Sequence, residues 1–167
     1  MMLNQKKNTI LIIIFFIILL SIITTLIIEH VLGHQPCNLC IYERVPYILA
    51  ALLIMKIFFF KKYERFTLLI LFLVFISSSL IAFYHFGIEQ EFFSESFVCN
   101  VENQSKTLSK EQLLKELNQN VVSCKDVTFR ILGLSLAAIN TILSVVLSII
   151  FLKLFLNYGS NSTSQYK

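Results

Sequence analysis

The chain has 167 residues, of which 56% are hydrophobic and only 14% are charged. Ordinary soluble domains carry about 25% charged residues, and one soluble core of this length cannot hide so much apolar surface. The formal net charge is +4, but lysine and arginine form no continuous basic stripe, so the charge does not support nucleic-acid binding. The composition therefore indicates a membrane protein and excludes an ordinary soluble domain.

Four apolar segments are long enough to cross a hydrocarbon layer of about 30 Å. We predict helices at about 10–28, 41–60, 66–88 and 131–156. The expected fold is an all-α membrane protein, a four-helix transmembrane bundle in one domain over 1–156, with outer loops at 29–40 and 89–130. The first segment exceeds the apolar length of a signal peptide and lacks a small-residue cleavage site, so we expect it to be retained. The polar tail, 157–167, is predicted to be a disordered cytoplasmic segment.

The placement of basic residues predicts that both termini are cytoplasmic. With this topology, Glu64 is the only acidic residue on the cytoplasmic side, and the other acidic residues lie in the outer loops or at the outer helix ends. The cytoplasmic side holds most of the basic residues, namely Lys6, Lys7, Lys56, Lys61, Lys62, Arg65, Lys153 and Lys167.

All four cysteines then lie on the outer side of the membrane. Cys37 and Cys40 precede the second helix, and Cys99 and Cys124 lie in the second outer loop. An even number of cysteines confined to an oxidising compartment suggests two disulfides, and four cysteines allow three pairings.

A short amphipathic helix is predicted between Cys99 and Cys124. Ser109 and Gln112 have the spacing of a capping box, and leucines follow at helical spacing with charged residues on the opposite face. Such a helix either lies flat on the membrane surface or is a half-buried loop helix.

The Cys37-x-x-Cys40 motif has three interpretations. The four outer cysteines can form a zinc site, the pair can be a structural staple, or it can be redox-active. Cys40 is expected near the amino terminus of the second helix, where the helix dipole lowers a thiol pKa. Arg44 lies one helical turn further on and can stabilise a thiolate or a reduced ligand. These neighbours favour the redox interpretation over zinc, which remains the alternative. The pair Glu43–Arg44 is otherwise typical of an interfacial ion pair.

Three stretches of sequence resemble the disulfide bond formation protein B (DsbB) family of four-helix membrane thiol oxidases. They are "CNLCIYER" at 37–44, "YHFGIE" at 84–89, and Cys99 followed by "SCKDVTFRILGLSLAAIN" at 123–140. The similarity extends in order over roughly 20–152.

The resemblance implies a role for each cysteine. Cys37 and Cys40 would form a disulfide that passes electrons to a quinone, ubiquinone or menaquinone, with Cys40 facing the ring and Arg44 holding it. Cys99 and Cys124 would form the disulfide that oxidises a periplasmic thioredoxin-like dithiol oxidase. The thiolate of that partner would attack Cys99 and release Cys124, and the electrons would reach the first pair by thiol–disulfide exchange.

The same resemblance implies a location in the bacterial inner membrane, with the cysteines in the periplasm, and we expect a monomer. His85 and Glu89 are weaker candidates that would line the quinone site or move protons. Asn140, within the fourth apolar segment, either hydrogen-bonds a neighbouring helix or serves only in packing, and packing is the favoured interpretation.

Overall fold

The computed structural model describes residues 2–60, 63–94, 99, 123–125, 130–131 and 133–163. Within these ranges the chain is almost entirely helical. The elements are α1 (Met2–His30), α2 (Asn38–Tyr42), α3 (Arg44–Phe59), α4 (Glu64–Glu89), β1 (Arg130–Ile131), β2 (Leu134–Ser135) and α5 (Leu136–Thr163). The predicted loop helix around Ser109 and Gln112 lies outside the described residues.

Among the described residues, three helices have the length and apolar composition of membrane spans, and they confirm the prediction of an all-α membrane protein. The spans are Gln5–His30, Glu64–Glu89 and Leu136–Asn157. α3 has 16 residues, which is about 24 Å at the helical rise per residue and shorter than an ordinary span. The structure therefore does not confirm the fourth span predicted at 41–60.

The segment 41–60 is divided because of Glu43 and Pro46. α2 ends at Tyr42, Glu43 separates the two helices, and α3 begins at Arg44. Pro46 has no N–H with which to bond the Tyr42 carbonyl, and it is tolerated because it falls in the first turn of α3.

The last helix begins at Leu136 and not at 131 as predicted. A two-stranded antiparallel hairpin precedes it, with Arg130 opposite Ser135 and Ile131 opposite Leu134. Gly133 in the connection has φ +84°, a left-handed conformation that favours glycine. The Ser135 hydroxyl then accepts a 3.2 Å hydrogen bond from the Ala138 amide and caps the helix. At its other end α5 continues to Thr163, into the segment predicted to be disordered.

Successive long helices pack side by side. α3 packs on α1 and α4, and α4 packs extensively on α5. Aromatic rings join α3, α4 and α5 in the core, where Tyr47 meets Phe75 edge-on at 5.6 Å and Phe75 stacks on Phe151 at 5.5 Å. Large apolar side chains cover the outside of the bundle, including Phe16, Leu20, Leu73, Leu80 and Ile142. An apolar outer surface of this kind is suited to lipid and not to water.

The two ends of the bundle differ in chemistry. Lys7 near the start of α1 forms an ion pair with the buried Glu64 at the start of α4, so the starts of these two helices lie at the same end of the bundle. Cys37 and His85 lie at the opposite end, where a second buried cluster includes both cysteine pairs. The fold thereby separates a basic end from a cysteine end.

Candidate active site

Cys37 and Cys40 lie at the two ends of one turn of helix. Because α2 begins at Asn38, Cys37 is its N-cap, and the Cys37 sulfur accepts a 3.3 Å hydrogen bond from the Cys40 amide. The two sulfur atoms are 2.8 Å apart. Both residues are free thiols, so the Cys37–Cys40 disulfide implied by the family resemblance is not formed in this structure.

Hydrogen bonding in the structure favours a thiolate at Cys37, whereas the sequence predicts it at Cys40. Hydrogen bonding from the Cys40 thiol, with a further contribution from His85, lowers the pKa of Cys37 to about 4 despite its burial. The same contact to Cys37, together with burial and the nearby Glu43 charge, raises the pKa of Cys40. The two assignments differ because the helix begins before Cys40, so Cys37 occupies the capping position.

His85 on α4 connects the cysteine pair to a buried carboxylate. Its Nε2 is 3.5 Å from the Cys37 sulfur, and its Nδ1 donates to Glu43 Oε1 at 2.7 Å. Glu89 Oε1, one turn along α4, is 3.9 Å from Nε2. Because Glu43 holds the proton on Nδ1, the ring presents Nε2 to the sulfur and can take or return the thiol proton.

Glu43 is the residue that the sequence interpretation missed. It is 8% exposed, and its Oε2 accepts a 2.7 Å hydrogen bond from Asn140 Nδ2 on α5. The Tyr47 hydroxyl donates to Asn140 Oδ1 and lies 3.2 Å from the Ser144 hydroxyl. The Ser144 hydroxyl in turn lies 3.1 Å from the Ser78 hydroxyl. A polar chain therefore runs from the cysteines into the bundle.

A sequence signal for this polar chain exists in retrospect. Glu43 and Tyr47 are four residues apart, as are Asn140 and Ser144, so each pair occupies one face of a helical segment. Four polar side chains at matching spacing in two apolar segments indicate a buried network. The hydrogen bond from Asn140 to Glu43 supports the alternative interpretation of Asn140, a polar contact with a neighbouring segment, over packing alone.

Arg44 pairs with Glu29 on α1 and not with Cys40. Its Nη1 is 2.5 Å from Glu29 Oε2. In the part of the chain that the structure describes, no hydrogen bond joins Arg44 to Cys40. Both residues nevertheless line the same cavity. Glu29 on α1 therefore holds the Arg44 guanidinium at the wall of this cavity.

The cavity has a volume of about 270 Å³ and lies between the outer halves of α1 and α5. Its walls include apolar side chains such as Leu20, Ile28 and Leu143. Its polar end is formed by Cys37, Cys40, Glu43, Arg44, His85 and Glu89. The arrangement suits a small ligand with an apolar body and a polar edge.

The second pair, Cys99 and Cys124, forms a disulfide with Cα atoms 5.5 Å apart. Each residue is 2% exposed, and both pack in one cluster with Cys37, Leu39 and Ile88. The observed bond is the second pairing that the family resemblance implies. Since these two sulfurs are bonded to each other, a zinc site made from four free cysteines is not supported.

Membrane-spanning apolar helices, a buried disulfide and a buried dithiol beside a histidine define a membrane protein of thiol–disulfide chemistry. A family model described as disulfide bond formation protein DsbB matches residues 7–154. The chain belongs to this family, as its resemblance predicts, and the family is one of membrane thiol oxidases.

A relative in Rickettsia prowazekii (strain Madrid E), described as uncharacterized protein RP370, is 28% identical over 138 residues. The alignment covers 81% of this chain and 80% of the relative. No solved structure matches the chain.

Proposed function

We propose that the protein reoxidises a periplasmic thioredoxin-like dithiol oxidase and passes the electrons through its two cysteine pairs to a membrane quinone, which sustains disulfide bond formation. The observation that supports this best is the single buried cluster containing the Cys99–Cys124 disulfide and Cys37, with Cys40 packed against it. Electrons can move between two pairs only if their sulfurs can meet, and a shared cluster keeps that movement short.

The proposed relay balances atoms and electrons at each exchange. A partner thiolate attacks Cys99 and releases Cys124, and the second partner cysteine then resolves the mixed disulfide. The reduced outer pair passes two electrons to a Cys37–Cys40 disulfide, which becomes the dithiol present in this structure. That dithiol must lose two electrons and two protons before another cycle begins.

The residues of the cavity fit a quinone head group. Its volume, about 270 Å³, is near the lower end of ligand pockets, which suits one substituted ring. Cys40 is the more exposed cysteine of the pair, and Arg44 offers donors to a carbonyl or an anionic oxygen. A bound quinone would supply the two-electron acceptor, and Cys40, Arg44, His85 and Glu89 would hold its polar edge.

His85 supplies the proton chemistry in this proposal. Its Nε2 faces the Cys37 sulfur, and Glu43 stabilises the imidazolium that forms when the thiol proton arrives. The Cys37 thiolate is thus available without waiting for bulk base. Asn140 keeps Glu43 in position from the opposite helix.

Energetics explain why a terminal acceptor is needed. A soluble oxidase of this kind has a potential near about −120 mV, whereas an ordinary structural disulfide lies below about −300 mV. Oxidising the former with the latter is uphill by roughly 180 mV, about 8 kcal/mol for two electrons. A stronger oxidant such as a quinone reverses that direction.

We further propose the bacterial inner membrane as the location, with both termini cytoplasmic and the cysteine end in the periplasm. The supporting observation is the distribution of basic residues toward the end opposite the cysteines. α3 would be the fourth span, with a local adjustment of the bilayer to its length, and α2 would lie at the outer surface. The protein would act as a monomer.

Turnover by the purified full-length chain tests the proposal. The protein is mixed with a reduced thioredoxin-like dithiol oxidase and a quinone, and quinol formation is followed by absorbance. We expect turnover with the wild type and none with Cys40→Ser or Cys99→Ser. Ser77→Ala is a matched control, because the Ser77 hydroxyl bonds the Val74 carbonyl of its own helix, away from the cysteines. Turnover that persists in either cysteine variant would contradict the proposed relay.

A further inference from the structure

We propose that the reduced Cys37–Cys40 pair, together with His85, is a binding site for a thiophilic divalent cation such as Zn²⁺. The Cys37 and Cys40 sulfurs and a His85 ring nitrogen lie within 4.8 Å of one another. This ligand set differs from the four-cysteine site considered for the sequence and exists only while the pair is reduced.

The distances match a tetrahedral ion with one adjustment. Zinc bonds of about 2.3 Å to sulfur and about 2.0 Å to nitrogen place those two ligands about 3.5 Å apart. Cys37 Sγ and His85 Nε2 are separated by 3.5 Å. Two zinc-bound sulfurs would be about 3.8 Å apart, so the 2.8 Å separation of the thiols must open by about 1 Å. Cys40, at the edge of the cavity, has room for this rotation.

Glu43 gives His85 the orientation typical of a metal ligand. Histidines that bind zinc commonly donate their other ring N–H to a carboxylate, which fixes the tautomer and makes the ligand nitrogen more basic. His85 Nδ1 donates to Glu43 Oε1 at 2.7 Å, and Nε2 faces the sulfur. An ordinary pair of neighbouring thiols has no such third ligand.

Glu89 is placed to be the fourth ligand. Its side chain is 6% exposed, and its Oε1 is 3.9 Å from His85 Nε2. Its carboxylate lies beside the Ser135 hydroxyl and His85. A buried carboxylate is costly unless it is paired with a positive charge, and coordination would provide that charge.

Binding would hold the pair in its reduced state. No electrons move in the binding step, because thiols that are still protonated release their protons to solvent and the thiolates bind the cation. While both sulfurs are metal-bound, no bond can form between them. The cation would therefore block oxidation of Cys37 and Cys40 reversibly, and a chelator would restore it.

Metal titration of the full chain tests this site without partner or quinone. The probes are Zn²⁺, with a chromophoric chelator as competitor, and Co²⁺, whose spectrum reports thiolate ligands and tetrahedral geometry. The Cys99→Ser/Cys124→Ser double variant is included so that Cys37 and Cys40 are the only thiols. We expect one ion per reduced chain, a tetrahedral cobalt spectrum, and no binding after oxidation.

Variants separate the proposed site from a simple dithiol chelate. Cys37→Ser or Cys40→Ser should abolish tight binding, and Glu43→Gln should weaken it by roughly 10- to 100-fold. His85→Gln should weaken it further and change the cobalt spectrum, whereas His30→Gln, an exposed histidine at the end of α1, should have no effect. Unchanged affinity in His85→Gln, or a wild-type cobalt spectrum without tetrahedral thiolate features, would overturn the proposal. These results do not depend on turnover, so they stand or fall separately from the proposed oxidase activity.

Discussion

Glu43 Oε2 on the segment between α2 and α3 accepts a 2.7 Å hydrogen bond from Asn140 Nδ2 on α5. The two residues are 97 positions apart in the sequence. The other oxygen of the same carboxylate accepts from His85 on α4. One buried carboxylate thus joins three parts of the bundle and fixes the histidine that faces Cys37.

Glu43→Gln should destabilise the protein and slow its turnover. His85 and Asn140 each donate to one oxygen of the Glu43 carboxylate. In a glutamine the side-chain NH₂ replaces one of these oxygens and must face one of the two donors. Leaving a buried polar group unpaired costs about 1–3 kcal/mol, which a thermal or denaturant unfolding midpoint would reveal. Glu91→Gln, on an exposed turn residue, is the matched control and should unfold as the wild type does. Equal midpoints for the two variants would show that the Glu43 contacts contribute nothing.

Asn140→Leu should lower stability by a similar amount, about 1–3 kcal/mol, because it removes a donor to Glu43 and an acceptor for Tyr47. Thr141→Val is the control on the same helix, since the Thr141 hydroxyl bonds the Ala137 carbonyl of its own helix. A double-mutant cycle with Glu43→Gln measures the coupling. Strictly additive losses would argue against a shared network.

The ultraviolet absorbance of the thiolate should be present in the reduced protein at neutral pH. Cys37 has a pKa of about 4, lowered chiefly by the hydrogen bond from Cys40, so the signal should disappear only as the pH falls toward 4. The pKa of Cys37 in the folded protein is below that of an unfolded cysteine, which is about 8.5. The thiolate therefore adds to the free energy of unfolding. This contribution is fully present above about pH 8.5 and is lost as the pH falls toward 4. The oxidised protein is the reference. A thiolate signal that appears only near pH 9 would refute the assignment.

Arg44→Ala should raise the quinone KM about tenfold, equivalent to roughly 1.4 kcal/mol, while kcat changes less. The guanidinium lines the cavity and is held by Glu29, so Glu29→Gln should raise KM by a smaller factor. Arg65→Ala is the control, because Arg65 stacks over Phe155 and does not line the cavity. Steady-state quinol formation at varied quinone measures each value. A fall in kcat at constant KM would instead assign Arg44 to a step after quinone binding.

Gly87→Ala should destabilise the outer end of α4, although alanine normally favours a helix over glycine by about 1 kcal/mol. A Cβ at this position would lie 2.2 Å from Cδ2 of Phe93, so the ring must move and the crowding is expected to cost about 1–3 kcal/mol. The Phe93 ring also stacks on Tyr84 at 5.7 Å. Shortening the partner in Gly87→Ala/Phe93→Leu should recover stability in a thermal unfolding assay. No recovery would place the strain elsewhere.

Hydropathy predicted the helices that consist of long, uniformly apolar segments. It did not predict the helix ends, where a single residue changes the backbone conformation. The three helices confirmed as spans are continuous apolar runs, so their existence could be read from the sequence. The start of α5 could not be read this way, because Ile131 and Leu134 are apolar whether they form a hairpin or a helix. Gly133 and the Ser135 cap were the available local signals.

The site was predictable in its cysteines and less so in their surroundings. The motif and the family resemblance indicated both pairs, but the position of the thiolate depends on the residue at which α2 begins. The contacts of Glu43 depend on helices far apart in sequence, and helical periodicity does not indicate which helices become neighbours.

The packing of each long helix against its predecessor has a consequence for biogenesis. α3 finds α1 already made, α4 finds α3, and α5 finds α4 as its most extensive neighbour. The α1–α3 and α3–α4 contacts join helices that are close in the sequence, whereas α4 and α5 meet across residues 90–135. The bundle can therefore be assembled in the order in which a ribosome delivers its helices to the membrane, and the polar chain through Glu43 is completed only when α5 arrives with Asn140.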